Sequence, residues 1–129
     1  MNWMLLVAGF IAVFVNFGHL TIGNKMFLKP MLDADFDLVA KKTMHCVFHY
    51  VSVFLLLSAA VLILTGLNIN LGDNVKLLIW FISANYFLFS VWQIIIAMTS
   101  GIPKVMTKLF QWVLFISIAV LSFFGACTV

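Results

Sequence analysis

Hydrophobic residues fill four long windows of the chain, and polar residues cluster between these windows. The windows cover residues 3–22, 44–65, 75–98 and 109–126. A helix that crosses about 30 Å of hydrocarbon needs about 20 predominantly apolar residues, so each window predicts a membrane-spanning helix. No basic residue precedes the first window and no small-x-small cleavage pattern precedes His19. The first window is therefore typical of a retained span rather than a removed signal peptide.

The connections after the second and third windows are short and rich in turn-forming residues. Asparagine and glycine dominate residues 68–74, and Ser100, Gly101 and Pro103 interrupt the chain before the last window. Short connections make consecutive helices antiparallel neighbours. The sequence therefore predicts a single domain over residues 1–129, an all-α membrane protein with four transmembrane helices in an up-down-up-down bundle.

The first connection, residues 23–43, is longer and mixes charged with apolar residues. Pro30 is expected to end the first helix, because proline lacks a backbone N–H and clashes with the preceding turn. The nearby aspartates, among them Asp37, predict a cap for a helix that begins near residue 36 and runs into the second span. The connection is expected to lie at the lipid headgroups, with its lysines directed toward anionic lipid.

Composition supports a membrane location, since 65% of the residues are hydrophobic and only 9% are charged. Soluble domains carry about 25% charged residues, so a soluble enzyme, a disordered tail and a DNA-binding module are all excluded. The net charge of +3 comes from seven lysines with no arginine. Bidentate contacts to phosphate and guanine require arginine, so no nucleic-acid partner is expected. Cys46 and Cys127 are interpreted as small buried hydrophobic residues.

The lysines predict how the bundle is oriented. Only Lys76 lies in the second connection, and the other six lie in the first and third: Lys25, Lys29, Lys41, Lys42, Lys104 and Lys108. The positive-inside rule places those two connections in the cytoplasm and both termini on the non-cytoplasmic side. The absence of arginine and the abundance of Phe, Ile and Lys fit an AT-rich bacterial genome, so we expect a bacterial inner membrane.

All three histidines are predicted to lie near the cytoplasmic face. His19 is near the end of the first span, and His45 and His49 are in the first turns of the second. Because a helix advances about 100° per residue, His45 and His49 share one side. That side continues through Ser52, Leu56 and Ala59. The first helix carries a stripe of small and polar residues: Gly9, Ala12, Asn16, His19 and Gly23. We expect these two stripes to meet, since small residues let helices approach closely.

If the stripes meet, three imidazoles converge, with Asn16, Ser52 and Gln93 as supporting polar neighbours. Three imidazole nitrogens could hold zinc, copper or iron with an open position for water or substrate. Alternatively, histidines from different helices could ligate a b-type haem. The imidazoles could also relay protons or bind a quinone head group beside Trp92 and Tyr50. The remaining interpretation is that each histidine only hydrogen-bonds a neighbouring helix.

Two further functions stay open on the sequence alone, and no catalytic residue is assigned. The protein could be a structural or accessory subunit of a membrane complex, or a homo-oligomer, whose polar groups serve only helix packing. It could instead carry a small solute coupled to protons, with Asn85 near the midplane of the path. The absence of intramembrane Asp, Glu, Lys and Arg counts against a carrier.

Residues 16–60 contain the pattern His19-x3-Gly23, Pro30-Met31-Leu32 and His45-x3-His49, followed by an apolar span. This pattern resembles small bacterial four-span membrane proteins that carry His, Gly, Pro and His in this order in their first half. The resemblance implies the four-span architecture and no activity. It marks His19, Gly23, Pro30 and His49 as the first positions to test.

Overall fold

The structure, a computed structural model, describes all residues from Met1 to Val129 and consists of helices and connecting turns. In chain order it contains α1 (Trp3–Gly18), a π-helical segment (His19–Leu28), α2 (Lys29–Asp33), α3 (Leu38–Gly66), α4 (Val75–Thr99), α5 (Val105–Lys108) and α6 (Gln111–Ala126). Three continuous helices are long and apolar enough to cross a membrane: Trp3–Asp33, Leu38–Gly66 and Val75–Thr99. The fourth apolar helix, α6, is shorter, with 16 residues.

The prediction that Pro30 ends the first helix is wrong. The first helix continues through His19–Leu28 in π-helical winding and then through α2 to Asp33. The π register shows at Lys29, whose backbone N–H bonds to the Asn24 carbonyl five residues back. A proline inside an α-helix clashes with the carbonyl four residues before it. The wider π turn just before Pro30 changes the position of that carbonyl relative to the proline ring, so the helix continues through Pro30 without breaking.

The aspartate cap is confirmed. Asp37 precedes α3, and its side chain accepts a hydrogen bond of 2.8 Å from the Ala40 backbone N–H. This bond satisfies one of the amide groups that a helix N-terminus leaves without a partner. Residues 34–37 are the only non-helical part of the first connection. His45 and His49 therefore lie about two and three turns from the start of a long, continuous helix.

Helix α1 lies between α3 and α6, and α6 in turn packs against α4. Small residues permit the close approaches. A Cβ on Gly66 would lie 2.9 Å from the Leu6 backbone nitrogen, and a Cβ on Gly125 would lie 2.5 Å from the Leu5 side chain. Asn2 joins the three helix ends there, because its backbone N–H donates to the Gly66 carbonyl and its side-chain amide to the Gly125 carbonyl, each at 2.8 Å.

Helices α3 and α4 meet mainly through side chains. The hydroxyls of Ser58 and Tyr86 lie 2.7 Å apart and share a buried hydrogen bond. Around them, Phe54, Phe89 and Phe115 contact the Tyr86 ring or one another with ring centroids 5.4 to 6.2 Å apart. This aromatic cluster fills the space between helices whose backbones are more widely separated than those of α1 and α3.

Large hydrophobic side chains cover the exterior of the bundle. Phe10, Phe14 and Phe17 on α1 are each more than 60% exposed, and many residues of α3, α4 and α6 resemble them. Water-soluble proteins rarely expose contiguous apolar surface on this scale, so the exterior suits contact with lipid. The interpretation of the two cysteines as buried is wrong: Cys46 and Cys127 are both exposed on this apolar surface.

A candidate metal-binding histidine pair

His19 is held between the first helix and α3. It begins the π-helical segment, and its Nε2 lies 3.0 Å from the carbonyl oxygen of Phe48. A carbonyl can only accept, so Nε2 carries the proton and donates it. The imidazole also stacks on the Phe48 ring, with centroids 3.9 Å apart and planes 19° apart. His19 thus joins two helices through one hydrogen bond and one ring contact.

His45 and His49 form a pair one helical turn apart on α3. Their Nε2 atoms lie 3.3 Å apart, and the ring centroids lie 5.1 Å apart. His45 is half-buried and His49 is exposed. The two nitrogens can share one proton, with one imidazole donating to the other. They can equally direct two lone pairs at one metal ion, since neutral imidazole nitrogen is a common metal ligand.

The histidine side of α3 is rotated away from the surface that packs against α1. The buried residues of α3 are centred on Leu55, Ala59 and Leu62. At about 100° per residue, the middle of this buried face lies roughly 100° round the helix from His49. Leu56, predicted to continue the histidine stripe, is 59% exposed. The predicted packing faces are therefore correct for α1, whose Gly9, Ala12 and Asn16 are buried. On α3 the prediction is correct for Ser52 and Ala59, which are buried, and wrong for Leu56 and His49, which are exposed.

The polar residues predicted to support the histidines have separate partners. Ser52 donates a 3.1 Å hydrogen bond to the Phe48 carbonyl, which also accepts from His19. Asn16 is buried, and its Oδ1 has no hydrogen-bond partner. Gln93 donates from Nε2 to Oε1 of Gln111 at 2.7 Å, so its amide links α4 to α6. Only Ser52 therefore shares a partner atom with one of the histidines.

Three other residues singled out from the sequence lie away from the bundle interior. Asn85 uses its amide to donate a 2.8 Å hydrogen bond to the Phe81 carbonyl of its own helix. Trp92 is 61% exposed and Tyr50 is 68% exposed. Trp92 and Tyr50 therefore lie on the exterior of the bundle. An enclosed quinone pocket would have to form on the buried side of the helices, away from both residues.

No group of three histidine, cysteine or acidic side chains lies close enough together to hold a metal ion. One chain therefore offers two imidazoles at the His45–His49 pair. These two imidazoles belong to one helix, so they do not form the pair from different helices that the haem interpretation requires. His45 and His49 instead project from the same side of one helix with their nitrogens 3.3 Å apart.

Phe48 is the site residue that sequence reasoning missed. Its side chain carries no polar or metal-binding atom that would single it out, yet Phe48 is half-buried and contacts two histidines. It stacks on His19 and meets His49 edge to face, with centroids 5.6 Å apart. Its position between His45 and His49, next to the predicted contact of the first two spans, is the feature of the sequence that could have identified it.

Comparison with known proteins adds no relative: no family model, curated protein or solved structure matches this chain.

Proposed function

We propose that this protein is a four-span bundle of the bacterial inner membrane that binds a zinc ion through His45 and His49. The bundle runs up-down-up-down, with both termini on the non-cytoplasmic side and the histidine pair at the cytoplasmic edge. Three long apolar helices support the membrane location, and the six lysines of the first and third connections support the orientation.

The main support for zinc at this pair is the distance between the Nε2 atoms of the two imidazoles. Tetrahedral ligands at the usual zinc–nitrogen distance of about 2.0–2.1 Å lie about 3.3 Å from each other. Adjacent ligands in a square-planar site, the arrangement typical of Cu(II), lie only about 2.9 Å apart at the same bond length. The Nε2 atoms of His45 and His49 are 3.3 Å apart, which fits two adjacent positions of a tetrahedral zinc site.

The proposal assigns His19 a structural role instead of a ligand role. Its Nε2 donates to the Phe48 carbonyl, its Nδ1 lies beside Gly23, and His19 forms no group of three with His45 and His49 that could hold a metal ion. A site of three imidazoles would lose zinc affinity when any of the three histidines is replaced. The two-histidine site should lose affinity only when His45 or His49 is replaced. His19 therefore provides a matched control for any substitution in the pair.

Zinc titration of detergent-purified, chelator-treated protein tests the proposal. The wild type and His19→Ala should bind zinc with similar affinity, whereas His45→Ala and His49→Ala should each weaken binding. Loss of an outer hydrogen-bond partner of a metal ligand costs about 10–100-fold in affinity, and loss of a ligand should cost at least as much. Absence of zinc binding to the wild type, or unchanged binding by His49→Ala, would overturn the proposal.

A further inference from the structure

The His45–His49 pair is only half of a zinc site. Zinc in structural sites takes four protein ligands, and no third histidine, cysteine or acidic side chain of the chain joins these two imidazoles. The missing ligands must come from water or from another molecule. The surroundings of the exposed side of the pair therefore decide whether water or another molecule supplies these ligands.

His49 lies on an exposed stripe of α3 that points away from the rest of the bundle, and the half-buried His45 borders this stripe. We define the α3 stripe as Cys46, His49, Val53, Leu56 and Ala60, all of them exposed. The spacing alternates between three and four residues, a period of 3.5. This is the period with which two helices pack along their length in a left-handed pair. Ala60 at the far end is small enough to let a second helix approach closely.

We propose that a second copy of this chain completes the site, with the α3 stripes of the two copies in contact. This inference rests on the proposed function, since it requires zinc at the pair. Two copies in one membrane share the same orientation, so a two-fold axis along the membrane normal brings both histidine pairs to the same depth. The partner's pair then supplies the two missing nitrogens, and four imidazoles surround one zinc ion.

Electrostatics permits this arrangement. The α3 stripe carries no Asp, Glu, Lys or Arg, so two copies with neutral His49 side chains meet there without like-charge repulsion. Lys42, the next position toward the start of α3, is exposed. It belongs to the predicted cytoplasmic connection, where salt screens charges separated by more than about 8–10 Å. Each imidazole binds zinc through Nε2 in its neutral form, with its single ring proton on Nδ1.

Native mass spectrometry of the detergent-purified protein with and without added Zn²⁺ tests the inference. We expect single chains without zinc, and dimers that hold one zinc ion per two chains with it. Zinc bound to single chains would overturn the second-copy inference and leave the proposed function standing. No bound zinc would overturn the proposed function. A dimer fraction that is the same with and without zinc would also overturn the inference.

Substitutions on the stripe separate helix contact from metal binding. Ala60→Phe adds bulk to the stripe three helical turns from His49 and should reduce the zinc-dependent dimer fraction at least severalfold. Ala84→Phe is the matched control, because Ala84 is an exposed alanine on α4, away from the stripe, and should dimerise like the wild type. His49→Ala should abolish the zinc-dependent dimer, and His19→Ala should retain it. Wild-type dimerisation by both Ala60→Phe and His49→Ala would contradict the inference.

Discussion

His19 donates a 3.0 Å hydrogen bond through Nε2 to the carbonyl oxygen of Phe48, which lies on the neighbouring helix α3. The same two residues stack their rings. This contact joins the start of the π-helical segment to the turn of α3 that carries His49. It gives His19 a role in the fold that is independent of any ligand.

His19→Ala should therefore destabilise the protein without changing its zinc affinity. A net hydrogen bond contributes about 0.5–1.5 kcal/mol, and a ring contact adds a comparable amount, so we expect a loss of about 1–3 kcal/mol. Reversible unfolding in detergent measures it. Thr21→Val is the control, because the Thr21 hydroxyl only bonds to the Phe17 carbonyl of its own helix. Equal losses in both variants would contradict the interhelical role of His19.

Gly66→Ala should destabilise the bundle, whereas Gly23→Ala should be tolerated. A Cβ on Gly66 would meet the Leu6 side chain and backbone nitrogen at 2.8–2.9 Å, while one on Gly23 would find its nearest neighbours at 3.7 Å. Overpacking of this kind costs about 1–3 kcal/mol. Thermal unfolding of the two variants checks the contrast. A larger loss of thermal stability for Gly23→Ala than for Gly66→Ala would contradict the close contact between Gly66 and Leu6.

Tyr86→Phe should cost about 0.6 kcal/mol and at most about 1.7 kcal/mol, the average and the maximum for interhelical hydrogen bonds in a membrane protein. The change removes the 2.7 Å bond to Ser58 and leaves the aromatic cluster in place. Ser58 keeps its second bond, to the Leu55 carbonyl, so no orphaned hydroxyl adds to the loss. A double-mutant cycle with Ser58→Ala isolates the pair. Additive losses would mean that the two hydroxyls do not interact.

Local rules were sufficient to predict several features from the sequence. The Asp37 cap is correct because capping depends on one side chain and the amide groups of the next turn. The packing face of α1 is also correct, since Gly9, Ala12 and Asn16 are the residues of that helix least suited to lipid. In both cases, residue type and spacing along the chain are sufficient for the prediction.

Features that depend on the neighbouring helix could not be predicted. The histidine stripe of α3 was extended to Leu56, although α1 packs on the side centred on Leu55, Ala59 and Leu62. The two faces of α3 are almost equally apolar, so periodicity alone does not separate them. The continuation of the helix through Pro30 depends on π winding, for which the sequence offers no rule. Gln93 could not be assigned to Gln111 before the packing of α4 on α6 was known.

X-ray absorption at the zinc edge of the zinc-loaded protein shows which atoms bind the metal, so it tests whether His45 and His49 are the ligands. We expect nitrogen ligands at about 2.0–2.1 Å with the outer-shell scattering of imidazole, retained in His19→Ala and lost in His49→Ala. Sulfur at about 2.3 Å would point to the exposed Cys46 instead. That result, or an imidazole signal that persists in His49→Ala, would contradict the assignment of the site to His45 and His49.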